Sequence, residues 1–258
     1  MRTFNKILTI ARFTVLEAVR TRLLWIVTTI LVLLFFGSLF VQHIAVTETA
    51  RMQTGFLAST ARLTAVFVLS LHIASSMVRE FNDKGVELLL SLDLPRAAYY
   101  LGKFLGFASI AVSIAVLACI PLLLPTAGSG LLLWGTSLAL ELILVAALAL
   151  FCVITFAQVM PAISFVAAFY LLARSISAIR LLAGSQLLSP TDWVNRIYAR
   201  CVDLLSLLLP DLSHATATGW LVDNTATLAQ VATVAAQCLI YSALLVLAGL
   251  FDLYRKNL

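Results

Sequence analysis

The sequence of 258 residues is 62% hydrophobic and 11% charged, with a mean hydropathy of +1.06. A soluble domain is about half apolar and a quarter charged, so this composition excludes an ordinary soluble protein and indicates one embedded in a bilayer. The net charge is +5, but the basic residues gather at the ends of apolar runs and form no patch with interleaved aromatic residues. We therefore expect no nucleic-acid partner.

The first segment, residues 1–22, predicts an amphipathic helix on the membrane surface. Apolar residues recur there with a helical period, and Arg2, Lys6, Arg12 and Arg20 lie on the remaining face. The apolar positions are Phe4, Ile7, Leu8, Ala11, Val15 and Val19. A helix of this kind lies in the interface; the alternative is that it simply extends the first span out of the bilayer.

Six apolar runs then predict six membrane-spanning helices, since about 20 apolar residues cross the hydrocarbon. The predicted spans are about 23–44, 57–78, 100–124, 131–155, 161–182 and 225–250. The runs do not alternate with period two, which excludes a barrel. The longest run is about two spans long, and we divide it near Gln158 and Pro161. The expected fold is an all-α integral membrane protein with one transmembrane domain, 1–258.

Two polar segments separate these spans. Residues 79–99 carry too many charges for hydrocarbon and are predicted to form a loop with its own helix. Residues 183–224 are also polar and are expected to lie outside the membrane on the opposite side. Within them, Ser189 as cap and Pro190 at the first helical position predict a helix that ends before Pro210.

Three of the charges that fall inside predicted spans need an explanation. Glu141 in the fourth span and Arg174 in the antiparallel fifth span lie at comparable depth, so an ion pair between them is our hypothesis. We favour a structural pair over a substrate-binding one. Arg62 lies near the outer end of the second span, and its side chain is expected to extend along its apolar stem to the interface.

The basic residues also predict the orientation. Most of them precede the first span, occupy the loop after the second or follow the sixth, which places them on one side of a six-span protein. Arg51, Arg196 and Arg200 fall on the other side, but the latter two lie in a long segment, where the charge bias counts for less. Because basic loops stay in the cytoplasm, both termini are expected to be cytoplasmic.

No catalytic, cofactor or metal-binding motif is recognisable. Gly102 and Lys103 adjoin, but the other residues of a phosphate-binding GxxxxGK[ST] loop are missing, and neither HExxH nor GxSxG occurs. The cysteines lie far apart, without metal-binding spacing. They are Cys119, Cys152, Cys201 and Cys238. We therefore expect no enzyme and no cofactor.

The charged loop carries the most informative pattern. It contains, in order, Asp83, Gly85, Glu87-Leu88-Leu89, Pro95-Arg96 and Leu101-Gly102-Lys103. This order resembles the loop between the second and third spans of type-2 permeases of ATP-binding-cassette (ABC) exporters. Residues 11–20 look like the basic helix that precedes their first span. Residues 208–212 and 220–222 resemble segments found in permeases linked to the maturation of multi-copper enzymes.

The resemblance implies a permease subunit in the bacterial cytoplasmic (inner) membrane. It would act as a homodimer or with a related permease and would export a substrate with ATP hydrolysed by a separate ATPase subunit. The loop helix would dock into a cleft of that ATPase, where its charged and apolar sides suit a groove. The docking residues implied are Glu80, Phe81, Asp83, Lys84, Gly85 and Glu87.

Two other classes of protein stay open at this point. One is an ion-coupled secondary transporter, for which internal repeats and several midplane charges would be expected. The other is a membrane anchor that recruits a cytoplasmic partner. The sequence leaves the substrate open, although its apolar character fits a lipid, a peptide or an amphipathic compound.

Overall fold

The computed structural model describes residues 2–44, 49–83, 95–126, 130–183, 209–213, 215–222 and 227–255, with positions 200, 202 and 204. Three sequence-based predictions lie outside these residues. They are the helix expected within the charged loop, the cap at 189–190, and most of the helix predicted to follow that cap. Among the described residues, every long element is an α-helix and no β-strand occurs.

The helices occur in the following order. They are α1 (Arg2–Arg20), α2 (Leu23–Ile44), α3 (Thr49–Asn82), α4 (Arg96–Cys119) with a 3-10 turn (Pro121–Leu123), α5 (Gly130–Phe156), α6 (Val159–Ala183), the short α7 (Gly219–Val222) and α8 (Leu228–Arg255). Six of them, α2 to α6 and α8, are long and apolar enough to cross a membrane. The prediction of six spans is confirmed, and the chain is a multi-pass membrane protein.

Helix α5 forms the centre of the bundle. It packs against α3, α4, α6 and α8, and 72% of its most apolar stretch is buried, compared with 17% for α2 and 22% for α8. A helix that is apolar on every side suits this central position. Small residues such as Ala146, Ala147 and Ala149, all essentially buried, let neighbouring helices approach closely.

Two helix boundaries have clear local causes. The long apolar run breaks at Ala157, whose φ of 54° ends α5, and α6 begins two residues later. Pro161 lies in the first turn of α6, where its missing N–H costs no hydrogen bond. Helix α3 starts at Thr49 rather than near residue 57 and is about 51 Å long, so it extends beyond the roughly 30 Å hydrocarbon layer.

Helix α1 packs on α4 through two glycines spaced four residues apart. A Cβ atom on Gly106 would lie 2.6 Å from Cβ of Thr14, and one on Gly102 would lie 2.7 Å from Cβ of Ile10. The spacing is that of a GxxxG contact, in which small residues bring two backbones together. The contact holds α1 against the start of the third span.

The first prediction concerns this contact. Gly106→Ala should lower the melting temperature of the purified protein in detergent, because the added methyl group overlaps α1. Gly37→Ala is the matched control, since a Cβ there meets nothing within 4 Å. Alanine is the better helix former by about 0.5–1 kcal/mol, so the control should be unchanged or slightly more stable. Equal effects of both substitutions would contradict the close contact.

Candidate functional site

An irregular segment lies inside the helix bundle between α6 and α8. Its described part is residues 209–213 and 215–218, followed by the short helix α7, and the side chains of Leu212, Ala215 and Thr216 are at most 2% exposed. The Leu212 N–H donates to the Ala173 carbonyl of α6 at 3.3 Å. Irregular backbone at membrane depth requires protein partners, because hydrocarbon offers none. The side chains that supply these partners form what we call the Thr216 cluster: Arg62, Trp134, Ser137, Glu141, Tyr170, Arg174 and Thr216.

Arg174 of α6 contributes several of these contacts through one nitrogen. Its Nη1 donates to the carbonyls of Leu212 at 2.6 Å and Ala215 at 2.8 Å, and to Oγ1 of Thr216 at 3.3 Å. The same nitrogen lies 3.7 Å from Oε1 of Glu141. The structure thus brings the hypothesised pair, Glu141 and Arg174, together. The arginine also fixes the irregular segment, which a simple ion pair would not do.

Three further side chains close around the Thr216 backbone. Its carbonyl accepts hydrogen bonds from Nη1 of Arg62 at 3.3 Å and Nε1 of Trp134 at 3.2 Å. Its N–H donates to Oγ of Ser137 at 3.1 Å. Helices α3 and α5 therefore hold the two peptide groups on either side of Thr216, and α6 contacts one of them through Arg174 and the Ala215 carbonyl.

Glu141 is the acidic member of the cluster and its side chain is fully buried. Its two oxygens accept hydrogen bonds from the hydroxyls of Tyr170 at 2.7 Å and Thr216 at 3.0 Å. Both oxygens of the carboxylate are therefore bound, and Arg174 lies close to one of them. Removing one partner of such a buried ion pair typically costs about 3–5 kcal/mol, because the other charge stays uncompensated.

Thr216 adopts an unusual backbone conformation. Its φ is 50°, in the left-handed region that β-branched residues rarely enter. Such a conformation costs about 1–3 kcal/mol and persists only where surrounding contacts impose it. The hydrogen bonds to its N–H, carbonyl and hydroxyl are those contacts.

The expectation for Arg62 was wrong. It does not reach the interface, since it is only 9% exposed and donates from Nη1 to the carbonyl and Oγ1 of Thr216. No sequence pattern predicts that Thr216 lies against α3, so the partner of Arg62 could not be identified. The inward direction of its side chain could have been inferred, because charges within a span usually face the bundle interior.

A second polar group lies at the other end of α3. Oε1 of Glu17 in α1 accepts hydrogen bonds from Ser76 at 2.8 Å and Arg79 at 2.5 Å. Oε2 of Glu80 lies 2.5 Å from Nζ of Lys103 in α4. We call these five residues the loop-end brace, because they join α1, α3 and α4 where the charged loop leaves and rejoins the bundle.

The brace also affects the charge state of Glu17, which lies outside the spans. Burial alone would raise the pKa of this carboxyl, but hydrogen bonds from Ser76 and Arg79 and the positive charges of Lys103 and Arg79 outweigh burial. The pKa of Glu17 is therefore lower than its ordinary value.

The predicted docking residues are distributed unevenly. Glu80 faces Lys103 inside the chain, and Phe81 packs against the core. Asp83 is exposed at the end of α3. Lys84, Gly85 and Glu87 lie outside the described residues. Of the described members, only Asp83 is exposed to a partner.

The polar groups described above make their contacts within the chain. No group of three or more His, Cys, Asp or Glu side chains that could hold a metal ion occurs in the described part of the chain. Cys119, Cys152 and Cys238 are free thiols. The polar side chains of the Thr216 cluster bind one another and the backbone of Leu212, Ala215 and Thr216, and they thereby hold this segment in place.

Comparison with protein-family models and with curated proteins finds no match for this chain. Its function must therefore be inferred from its sequence and geometry.

A second prediction tests the Thr216 hydroxyl. Thr216→Val keeps the shape but removes the donor to Glu141 and the acceptor for Arg62, so the free energy of unfolding should fall by about 1.5–3 kcal/mol. Denaturant unfolding in micelles measures the change. Thr218→Val, two residues along the same segment and half-buried, is the control and should have little effect. A neutral Thr216→Val would show that the hydroxyl does not hold the cluster.

A third prediction concerns pH and the loop-end brace. Because the pKa of Glu17 is lowered on folding, its contribution to stability is present above the ordinary carboxyl pKa and is lost as pH falls through the lower, folded value. Wild type should melt at a higher temperature than Glu17→Gln near neutral pH, and the gap should narrow in acid. Asp83→Asn, at an exposed position, is the control. A gap that widens in acid would contradict the assigned direction.

Proposed function

We propose that this protein is the permease subunit of an ABC exporter of the type-2 class. It would move its substrate across the bacterial cytoplasmic membrane with ATP hydrolysed by a separate subunit. The proposal rests on the resemblance of residues 79–103 and 11–20 to such permeases, and it is compatible with six spans. The lack of a GxxxxGK[ST] motif in the sequence fits a chain that relies on another subunit for ATP.

One observation carries the coupling part of the proposal. The loop-end brace ties both ends of the charged loop to α1, since Glu17 contacts Arg79 directly and α1 packs on α4, which carries Lys103. A partner that displaces the loop would therefore move α1, α3 and α4 together. Rigid-body transmission of this kind couples a docking event to a change in the bundle.

Helix α3 also connects the loop-end brace to the Thr216 cluster. Arg62 and Arg79 are 17 residues apart on α3, about 26 Å along its axis, and α3 is continuous between them. Movement of α3 at the loop would pull Arg62 relative to the Thr216 carbonyl. In this proposal, ATPase closure at one end loosens residues 209–222 at the other and opens a path there.

The remaining parts of the proposal follow the same resemblance and the charge bias of the loops. Both termini would be cytoplasmic, and the chain would pair with a second copy or a related permease. Helix α1 would lie in the cytoplasmic interface, where its exposed Phe4, Leu8 and Phe13 would contact lipid. The ATPase would be contacted by Asp83 and by the residues that follow it, while Glu80 would position the loop.

One observation favours the secondary-transporter alternative. Arg62, Glu141 and Arg174 place three charges in one buried cluster, and intramembrane charges can mark an ion pathway. Against it, Glu141 is bound on both oxygens by hydroxyl groups and has Arg174 beside it. Both of its oxygens are therefore occupied by contacts within the bundle, which fits a structural role better than an ion pathway.

The fourth prediction tests the docking role. Affinity purification of the tagged protein in mild detergent should recover a subunit that carries a GxxxxGK[ST] motif and hydrolyses ATP. Asp83→Lys with Glu87→Lys should abolish recovery, because both substitutions reverse charge in the docking loop. Glu80→Gln should keep the subunit bound but weaken the coupling of hydrolysis to transport, since the Lys103 contact is lost.

Thr47→Lys with Glu48→Lys is the matched control. These residues precede α3 while the docking loop follows it, so the two sites lie on opposite sides of the membrane if α3 spans it. The control should recover the ATPase as wild type does. Recovery of no ATPase by a folded wild type would contradict the exporter proposal, and transport driven by an ion gradient in its absence would favour a secondary transporter.

A further inference from the structure

An open groove runs between α2 and α3 on the lipid-facing side of the bundle. Its volume is about 670 Å³, and its deep end is lined by Ile26, Ile30, Leu63 and Phe67. The other end is polar and is lined by Thr21, His72 and Ser75. The groove is thus apolar along most of its length and polar at one end, which matches the shape and polarity of an amphiphilic molecule.

The length of the groove matches one half of a bilayer. Leu63 and Ser75 are 12 residues apart on α3, about 18 Å along the helix axis. Half of the hydrocarbon layer is about 15 Å thick. An acyl chain could therefore lie along the groove with its head group at the polar end.

Thr21, at the polar end, lies in the turn between α1 and α2 and is flanked in sequence by two arginines. Arg20 and Arg22 are both exposed, and neither forms an ion pair with an acid among the described residues. Arg22 has a φ of 58° and its N–H donates to the Val19 carbonyl at 3.1 Å, which makes the turn tight. Glu17, one turn before Arg20, is bound to Arg79 and Ser76.

Two more observations suit a head group at this end. Trp25 is 74% exposed and follows Arg22 by three residues, and exposed tryptophan is typical of the interface at head-group level. His72 is 9% exposed and lines the groove, and its Nε2 has no hydrogen-bond partner in the part of the chain that the structure describes. A bound head group could supply that partner.

We infer that the α2–α3 groove binds an anionic phospholipid, with one acyl chain along Ile30 and Leu63 and the phosphate at Arg20 and Arg22. Basic residues at a membrane surface attract anionic lipids, each with a modest gain, and arginine pairs with phosphate in bidentate fashion. The arginines provide the preference for an anionic head group, and the groove holds the acyl chain. This inference does not depend on the transport proposal.

Native mass spectrometry of the delipidated protein tests the inference, with dioleoyl phosphatidylglycerol and dioleoyl phosphatidylcholine as probes. Wild type should bind phosphatidylglycerol roughly 30-fold more tightly, which is the fold-change expected of two basic residues near the membrane surface. Arg20→Gln with Arg22→Gln should bring the two lipids to similar affinity. Arg12→Gln, exposed on the same helix eight residues away, should keep the preference.

The groove itself needs a separate variant. Leu71→Trp fills it from a position that is already 41% exposed, so the core should be little disturbed and both lipids should bind more weakly. Glycerol phosphate, which has no chains, should not compete with phosphatidylglycerol. Competition by it would point to a free anion site and overturn the lipid assignment.

Other results would also overturn the inference. Equal binding of the two lipids by wild type would remove the head-group preference. An equal loss in Arg12→Gln would show that only overall charge matters. A dimer that dissociates on Leu71→Trp would assign the groove to a second copy of the chain.

Discussion

The contact between Arg174 and the carbonyls of residues 212 and 215 is the constraint on which the interior of this protein depends. Hydrocarbon satisfies no peptide group, so a non-helical segment can lie inside the bundle only if side chains bind its backbone. Arg174 binds two of its carbonyls with one nitrogen, at 2.6 and 2.8 Å. Its charge in turn requires the buried carboxylate of Glu141 nearby. The polar residues of three helices are arranged around this requirement.

The strained backbone of Thr216 favours a rearrangement of the residues that hold it. Its left-handed backbone is held by bonds from α3 and α5, so a shift between those helices would release it. A conformation of this kind stores about 1–3 kcal/mol, and interfaces that rest on several directional bonds change between discrete arrangements. Under the proposed function, the opposite end of α3 is where a partner would produce the shift.

The sequence predicts the spans well because continuous apolar character is a local property. It also suggests the pairing of Glu141 with Arg174, since helix geometry converts residue number into depth. It cannot show the role of Thr216 or Ser137, because single hydroxyl residues are common and their partners lie far along the chain. The error at Arg62 has the same origin: whether its stem points to the interface or into the bundle depends on residues about 150 positions away. The partner of Glu80 was likewise hidden, because Lys103 belongs to the next helix.

Exposed apolar surface does not by itself indicate a partner in this protein. Side chains of α2 and α8 such as Phe36, Phe40 and Phe251 are more than 60% exposed, but lipid chains are as apolar as these residues, so no hydrophobic force drives them together. A specific ligand must therefore be argued from features that bulk lipid would not require. The α2–α3 groove has two of them: a pair of exposed arginines that flank Thr21 at its polar end, and a buried imidazole nitrogen of His72 that has no hydrogen-bond partner among the described residues. These polar features, and not its apolar walls, distinguish it from the rest of the lipid-facing surface.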